Sequence, residues 1–295
     1  MLTLIDTSVA RGVELGPSFS PFVTKASGAD ITIVDHADAD TLRAKYAVHG
    51  VDVNAIEEVD VIWSGGSLRD AIADRGPFDY LIASHFLEHV ADPMRFLDDC
   101  YDLLKPGGVL SLVLPDHRYC FDALRPPTTL GQWYDARETA RTSHSPGAVL
   151  DHCLHAVHRA GSIAWLPGAE APLEAVHEID HVAHMLRVVD KGDEFVDVHA
   201  WTFTPESFRA LLINASLLDL CRFEIAHEIG TVGFEFYVTL RRPAGESAPR
   251  HDGGRVALLT VVRDAEHPPL APSPPAIALA RTRAGLRSQI GRLWR

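Results

Sequence analysis

The sequence has few cysteines, and none lie close together. Cys100, Cys120, Cys153 and Cys221 are widely spaced with no CxxC pair, which argues against a zinc knuckle or a disulfide scaffold and fits free thiols in a reducing compartment. Long apolar runs are also missing. No stretch approaches the roughly 20 apolar residues that a membrane span needs. A basic surplus is absent: 27 Lys and Arg stand against 40 Asp and Glu, for a formal net charge of -13. Phosphate contacts require the opposite balance, so a nucleic-acid partner is not expected, whereas a small molecule or a neutral glycan stays open. Met1 to Arg11 has no basic start followed by an apolar run. No signal peptide is therefore expected, and a cytoplasmic location follows as the default. No internal repeat is present.

What is there suffices for a packed core: 46% of the 295 residues are hydrophobic and 23% are charged. Short apolar runs read as strands at 11–17, 30–35, 58–63, 78–83 and 109–115. Helical spacing separates several of them, clearest from Asp92 to Leu104. Strands alternating with helices predict crossover connections and a mostly parallel sheet. Thr204-Pro205 starts a further helix as N-cap and first-turn proline, and 221–228 with 234–241 form an antiparallel hairpin. The expected organisation is a core in two parts, 1–119 and 196–242, with a His-rich cap of helices and loops without a clear strand at 120–195. A Pro-rich linker and tail complete the chain at 243–295. Within the tail, 255–262 could be a strand, and 277–295 a basic amphipathic helix able to meet a partner or a membrane surface.

Open parallel sheets bind ligands beyond the carboxyl ends of their strands, where the strand order reverses. Those ends carry Glu14, Gly16 and Pro17, then Asp35 and His36, Trp63 and Ser64, Ser84 and His85, and Asp116 and His117. Gly16 allows a close backbone approach. Asp35 falls about 20 residues later, where a carboxylate can accept from both hydroxyls of a ribose. The full three-glycine fingerprint is lacking, because Pro17-Ser18-Phe19-Ser20-Pro21 follows Gly16. That disfavours a pyrophosphate, which needs backbone cradling along the loop, but not a nucleoside without phosphates.

Val13-Glu14-Leu15-Gly16-Pro17 resembles the first motif of class I S-adenosylmethionine-dependent methyltransferases of the type 11-like kind. Phe78 to Val90 with Asp92-Pro93, and Leu103 to Leu110 through Lys105-Pro106-Gly107-Gly108, are similar to that family's fourth- and fifth-strand motifs. The resemblance implies a Rossmann-like α/β fold, with a seven-stranded, mostly parallel sheet, an antiparallel C-terminal hairpin and a helical insertion. It implies S-adenosyl-L-methionine as cofactor. Glu14, Gly16 and Pro17 would border its methionine part, Asp35 and His36 its ribose, and Trp63 and Ser64 its adenine, where many members have an acidic residue. Ser84 and His85 would lie beside the sulfonium. Gly16-Pro17-Ser18 and Pro115-Asp116-His117-Arg118-Tyr119-Cys120-Phe121-Asp122 resemble a subgroup linked to glycan and polysaccharide assembly. This implies O-methylation of a sugar or another small hydroxyl acceptor.

An oxygen acceptor must lose a proton, and His85, His117 and Asp116 are the expected bases, all projecting toward one cleft. Arg118, Tyr119 and Asp122 continue the same loop and are expected to contact the acceptor. Two rival readings remain. One is a methyltransferase-like protein without activity that acts as an assembly partner. The other is a zinc hydrolase, since His85-Phe86-Leu87-Glu88-His89 matches H-x-x-E-H. That motif needs a helix, whereas His85 directly follows a buried strand, and no third ligand is evident; Glu88 and His89 are instead expected to start the helix after the fourth strand. The cap histidines, including His152 with His155 and His177 with His181 and His184, could share helical faces. No Cys sits at ligand spacing from them, and no metal set is expected.

Overall fold

In the computed structural model, residues 4–191 and 195–245 are described. The expected tail elements at 255–262 and 277–295, and the linker between them, lie outside the described residues.

Five strands lead the core: β1 (Arg11–Leu15), β2 (Asp30–Asp35), β3 (Val61–Ile62), β4 (Phe78–Ser84) and β5 (Leu104–Pro115). Between them come α1 (Ala39–Tyr46), α2 (Leu68–Ile72) and α3 (Pro93–Leu103). The cap holds α4 (Leu130–Glu138), α5 (Pro146–His155), β6 (Val157–Arg159), β7 (Leu173–Ala175) and α6 (Ile179–Lys191). The core then closes with α7 (Pro205–Leu217), β8 (Glu224–Val232) and β9 (Glu235–Arg241).

The main sheet has seven strands in the order β3-β2-β1-β4-β5-β9-β8. Strands β1 to β5 run parallel, and β9 enters antiparallel between β5 and β8. The expected seven-stranded, mostly parallel α/β fold with its terminal hairpin is therefore the observed one. Its helices start where the side chains say. Asp92 caps α3 ahead of Pro93, and Thr204 caps α7 with Ser207 completing a reciprocal capping box.

Three expectations change. The cap does contain strands, because β6 and β7 pair as a small antiparallel hairpin. Each has only 3 residues, too few for alternation to show in the sequence. The helix after β4 begins at Pro93; Leu87–His89 forms only a single 3-10 turn. Strand β5 starts at Leu104 rather than Val109, because Leu104 already pairs with Phe78 and the Gly107-Gly108 stretch is absorbed as an irregularity.

The core lies on both faces of β1, β4 and β5. Phe78, Tyr80, Leu81, Ile82, Leu110, Leu112 and Phe236 are all fully buried there. Gly12 sits beside Tyr80 in the β1–β4 register, and a Cβ on Gly12 would lie 2.1 Å from the Tyr80 ring. The aromatic ring fills the space that the glycine leaves. Gly12→Ala is expected to lower the unfolding free energy in urea by about 1–3 kcal/mol through overpacking. The loss should shrink when Tyr80→Leu is also present; an equal loss in both backgrounds would contradict this packing.

Candidate active site

Strand order reverses between β1 and β4, so the chains leaving these strands diverge and open a crevice. A cavity of about 700 Å³ occupies it, within the usual range for small-ligand sites. Glu14, Gly16, Pro17, Asp35 and His36 line its β1–β2 side, Trp63 and Ser64 its β3 side, and Ser84 and His85 its β4 side.

Two carboxylates shape the loop after β1. Glu14 is 1% exposed and accepts from the backbone N–H groups of Phe22 (2.7 Å) and Val23 (3.1 Å). Asp35 accepts from the N–H of Ser18 (3.0 Å) and, through its other oxygen, from the N–H of His36 (2.7 Å), with His36 Nδ1 also at 2.7 Å. Gly16 has φ +60°, and a Cβ there would come within 2.9 Å of the Phe86 ring. Phe86 in turn stacks with Trp63 at 5.9 Å between centroids and 25° between planes. A glycine backbone, a buried acid and an indole thus face one space, a set suited to a nucleoside.

The β4 end is built differently. His85 leaves the strand with φ +50°, a left-handed conformation rare for a residue with a side chain. Its Nε2 lies 2.8 Å from Glu235 Oε1, and its Nδ1 3.4 Å from Glu88 Oε1. Both ring nitrogens therefore face carboxylates. Glu88 is fully buried, and neither of its oxygens has a hydrogen-bond partner. Desolvation works against its anion, yet His85, His199 and His89 outweigh this and hold its carboxyl below the ordinary value. His89 and His199 pack edge to face at 4.7 Å and both border the cavity. His89 Nδ1 is 2.7 Å from Asp197; desolvation lowers its pKa, but Asp197, Glu88 and Asp122 raise it to about 9. His199 Nδ1 is 2.6 Å from Asp122, which also takes the Arg125 guanidinium at 2.7 Å. Despite the desolvation, His199 and Arg125 keep the Asp122 carboxyl well below its ordinary value.

The expectation that His85, Asp116 and His117 share one cleft is met by His85 alone. Asp116 is fully buried off the cavity, capping the turn after β5 and bonded to the Arg118 guanidinium (2.6 Å) and to Thr231. Arg118 is thereby committed to Asp116 and does not line the cavity. His117 is 8% exposed, its Nδ1 has no partner, and burial lowers its pKa. Tyr119 packs with Val157, Trp165 and Phe234 beneath the cap. Asp122 orients His199 from behind and does not line the cavity. Pro115, Cys120 and Phe121 of this stretch do line the cavity, but the turn between them points toward the segment before α7 and the β8–β9 hairpin, where Asp116 bridges to Phe203 and bonds Thr231.

Sequence reasoning passed over Glu88, His89 and His199 as a group. Glu88 and His89 belong to the H-x-x-E-H motif, but the turn that carries them is not an α-helix, so the zinc-hydrolase geometry with both motif histidines on one face is not formed. Instead, one ligand-type atom each of Glu88, His89 and His199 lies within 4.8 Å of the others. Cys153, His177 and His181 form a second such group, where no cysteine was expected. No separation along the chain signals either group, because α5, α6 and the chain after α6 meet only on folding.

The methyltransferase domain family matches residues 3–169. Over 150 residues the chain is 33% identical to the ubiquinone biosynthesis O-methyltransferase of Xanthomonas oryzae pv. oryzae, covering 50% of this chain and 56% of that protein. Over 114 residues it is 36% identical to the protein of the same name from Maricaulis maris, covering 37% and 39%. The chain thus spans about half the length, or less, of these curated relatives. Among solved structures, a SAM-dependent methyltransferase from Methanosarcina mazei is 15% identical with a TM-score of 0.37, covering 83% of this chain and 97% of that one.

Asp122→Ala is expected to cost about 3–5 kcal/mol of folding stability in a denaturant titration, because it strands the buried Arg125 charge. A loss under about 1 kcal/mol, the scale of an exposed ion pair, would contradict the buried network.

Proposed function

The chain belongs to the methyltransferase domain family, and on that premise we propose that it moves the methyl group of S-adenosylmethionine to an oxygen of a small hydroxyl-bearing acceptor. The observation that carries this reading is the continuity of one cavity from Gly16, Asp35 and Trp63 to the histidines at the end of β4. The cofactor's adenosyl part belongs at the first end. Asp35 is the ribose acceptor, Trp63 the apolar wall for the base, and Gly16 the point of closest backbone approach. The loop lacks a phosphate cradle, and the cofactor has no phosphate to fill one.

The sulfonium is already an activated donor, so the protein's main task is to hold acceptor and methyl group in line. The acceptor hydroxyl gives up its proton to solvent. An oxygen lone pair then forms the new C–O bond, and the C–S electron pair stays on sulfur to leave neutral S-adenosylhomocysteine. The acceptor half of the cavity borders Phe121, Ile163, Phe195 and Phe234 beside His85, His89 and His199. Apolar walls with few polar groups suit an aromatic hydroxyl better than a sugar, whose many hydroxyls would each need a partner. A phenol also ionises near pH 10, within reach of modest stabilisation. The names of the Xanthomonas and Maricaulis relatives support oxygen as the accepting atom. The type 11-like, glycan-linked subgroup has no counterpart among these relatives, and the sugar acceptor has no support there.

Calorimetry with S-adenosylhomocysteine tests the cofactor half. Wild-type protein should bind, and Asp35→Ala should weaken binding about tenfold or more, the worth of a hydrogen bond to a charged group. No heat at millimolar ligand would overturn the reading in favour of a methyltransferase-like assembly partner. For the acceptor half, phenolic compounds should release S-adenosylhomocysteine from S-adenosylmethionine faster than sugars do; the reverse order would reject the aromatic acceptor.

A further inference from the structure

We propose that Glu88, His89 and His199 form a binding site for a divalent transition-metal ion in the wall of the cavity. The starting point is Glu88. Its carboxylate is fully buried, and neither oxygen has a hydrogen-bond partner. A buried charge persists when it is paired or coordinates a metal. The nearest nitrogens are His85 Nδ1 at 3.4 Å and His199 Nε2 at 3.9 Å, both from Oε1. These spacings leave room for an ion rather than closing a hydrogen bond.

The histidines are oriented from behind. His89 Nδ1 meets Asp197 at 2.7 Å, and His199 Nδ1 meets Asp122 at 2.6 Å. Metal-bound imidazoles have this arrangement, with one N–H donated to an outer carboxylate, which fixes the tautomer and leaves the other nitrogen's lone pair for the ion. Arg125 fixes the second of these carboxylates and also donates to the His199 carbonyl oxygen, at 2.7 Å each. His85, anchored on Glu235 at 2.8 Å, meets the same Glu88 oxygen as His199 and acts as a positioning residue. Four carboxylates, Glu88, Asp122, Asp197 and Glu235, lie among the imidazoles of His85, His89 and His199 and the guanidinium of Arg125. A dication offsets that excess of negative charge.

The backbone brings the ligands together without help from an ion. Glu88 and His89 sit on the 3-10 turn after β4, and the Glu88 carbonyl oxygen accepts from the N–H of Ala200 at 2.8 Å, next to His199. The Trp201 indole N–H donates to the Val90 carbonyl oxygen at 2.6 Å. Three protein ligands leave coordination positions open, as in catalytic rather than structural sites. His89 and His199 border the cavity, so those positions face the acceptor. Two imidazoles and one carboxylate favour zinc, manganese or iron over magnesium or calcium.

The ion's role rests on the proposed methyl transfer; its binding does not. A metal-bound acceptor hydroxyl is more acidic, releases its proton to a solvent base and presents the oxygen anion to the methyl group. The C–O bond then forms as the C–S bond breaks, with the electron pair left on sulfur.

The test uses the full chain carrying Cys153→Ala, which disables the other candidate group, after removal of metal with a chelator. Titration with cobalt(II) should give one equivalent bound with a ligand-field absorption band, and zinc should displace it. Glu88→Gln and His89→Ala should each weaken binding by about tenfold or more and alter the band, while thermal melting confirms that both variants fold. His117→Ala should bind like the parent. Absence of stoichiometric binding, or undiminished binding in both ligand variants, overturns the site and identifies the cluster as protonated histidines paired with carboxylates. S-adenosylhomocysteine binding by the metal-free protein separates the two claims: cofactor binding without metal binding rejects only the ion, and loss of both rejects the methyl-transfer reading as well.

Discussion

The reversal of strand order between β1 and β4 is the constraint on which the other features depend. Chain leaving β1 turns toward β2, and chain leaving β4 turns toward β5. No backbone can fill the gap between them, so side chains and loops at those two strand ends must line it. The β1 loop folds back over the gap because Glu14 and Asp35 accept its N–H groups. The β4 exit bends into the gap because His85 takes a left-handed conformation. One side becomes a nucleoside-shaped wall and the other a cluster of titratable groups, and methyl transfer needs both in one enclosure.

Buried charge is handled differently in the two halves. Near β1 and β2 the carboxylates are satisfied by backbone N–H groups of the loop they hold. Near β4 they are satisfied by imidazoles, which can exchange protons or bind a cation. Glu88 is the exception within that half, with three histidines around it and no contact shorter than the 3.4 Å to His85 Nδ1. Such an arrangement has little structural merit, because a hydrophobic side chain of similar volume would be easier to bury. Its presence points to chemistry rather than stability.

The sheet was legible in the sequence because parallel strands buried on both faces read as unbroken apolar runs, such as Phe78 to Ala83. The placement of Gly16 and Asp35 on the cavity wall was legible because it depends on local backbone and on the offset between consecutive strands. Asp116, His117 and Arg118 were misread as cleft residues by the same reasoning. A strand end does not reveal where the next turn leads, and Asp116 finds Arg118 and Thr231 there instead. His199 was hidden for the opposite reason. It lies 110 positions after His89, and hydrogen bonds from the Ala200 N–H to the Glu88 carbonyl and from the Trp201 indole to the Val90 carbonyl bring it to the site. The cap hairpin of β6 and β7 is set by long-range pairing of strands too short for periodicity to show.

The central claim is that the two halves serve a single reaction, with the cofactor's sulfur at their junction. A crystal structure of the protein with S-adenosylhomocysteine tests it most directly. The account predicts the ribose hydroxyls on Asp35, the adenine beside Trp63, and the sulfur opening toward His85, His89 and His199. An adenosyl group bound with its sulfur turned away from those histidines, or outside the crevice between β1 and β4, would contradict it.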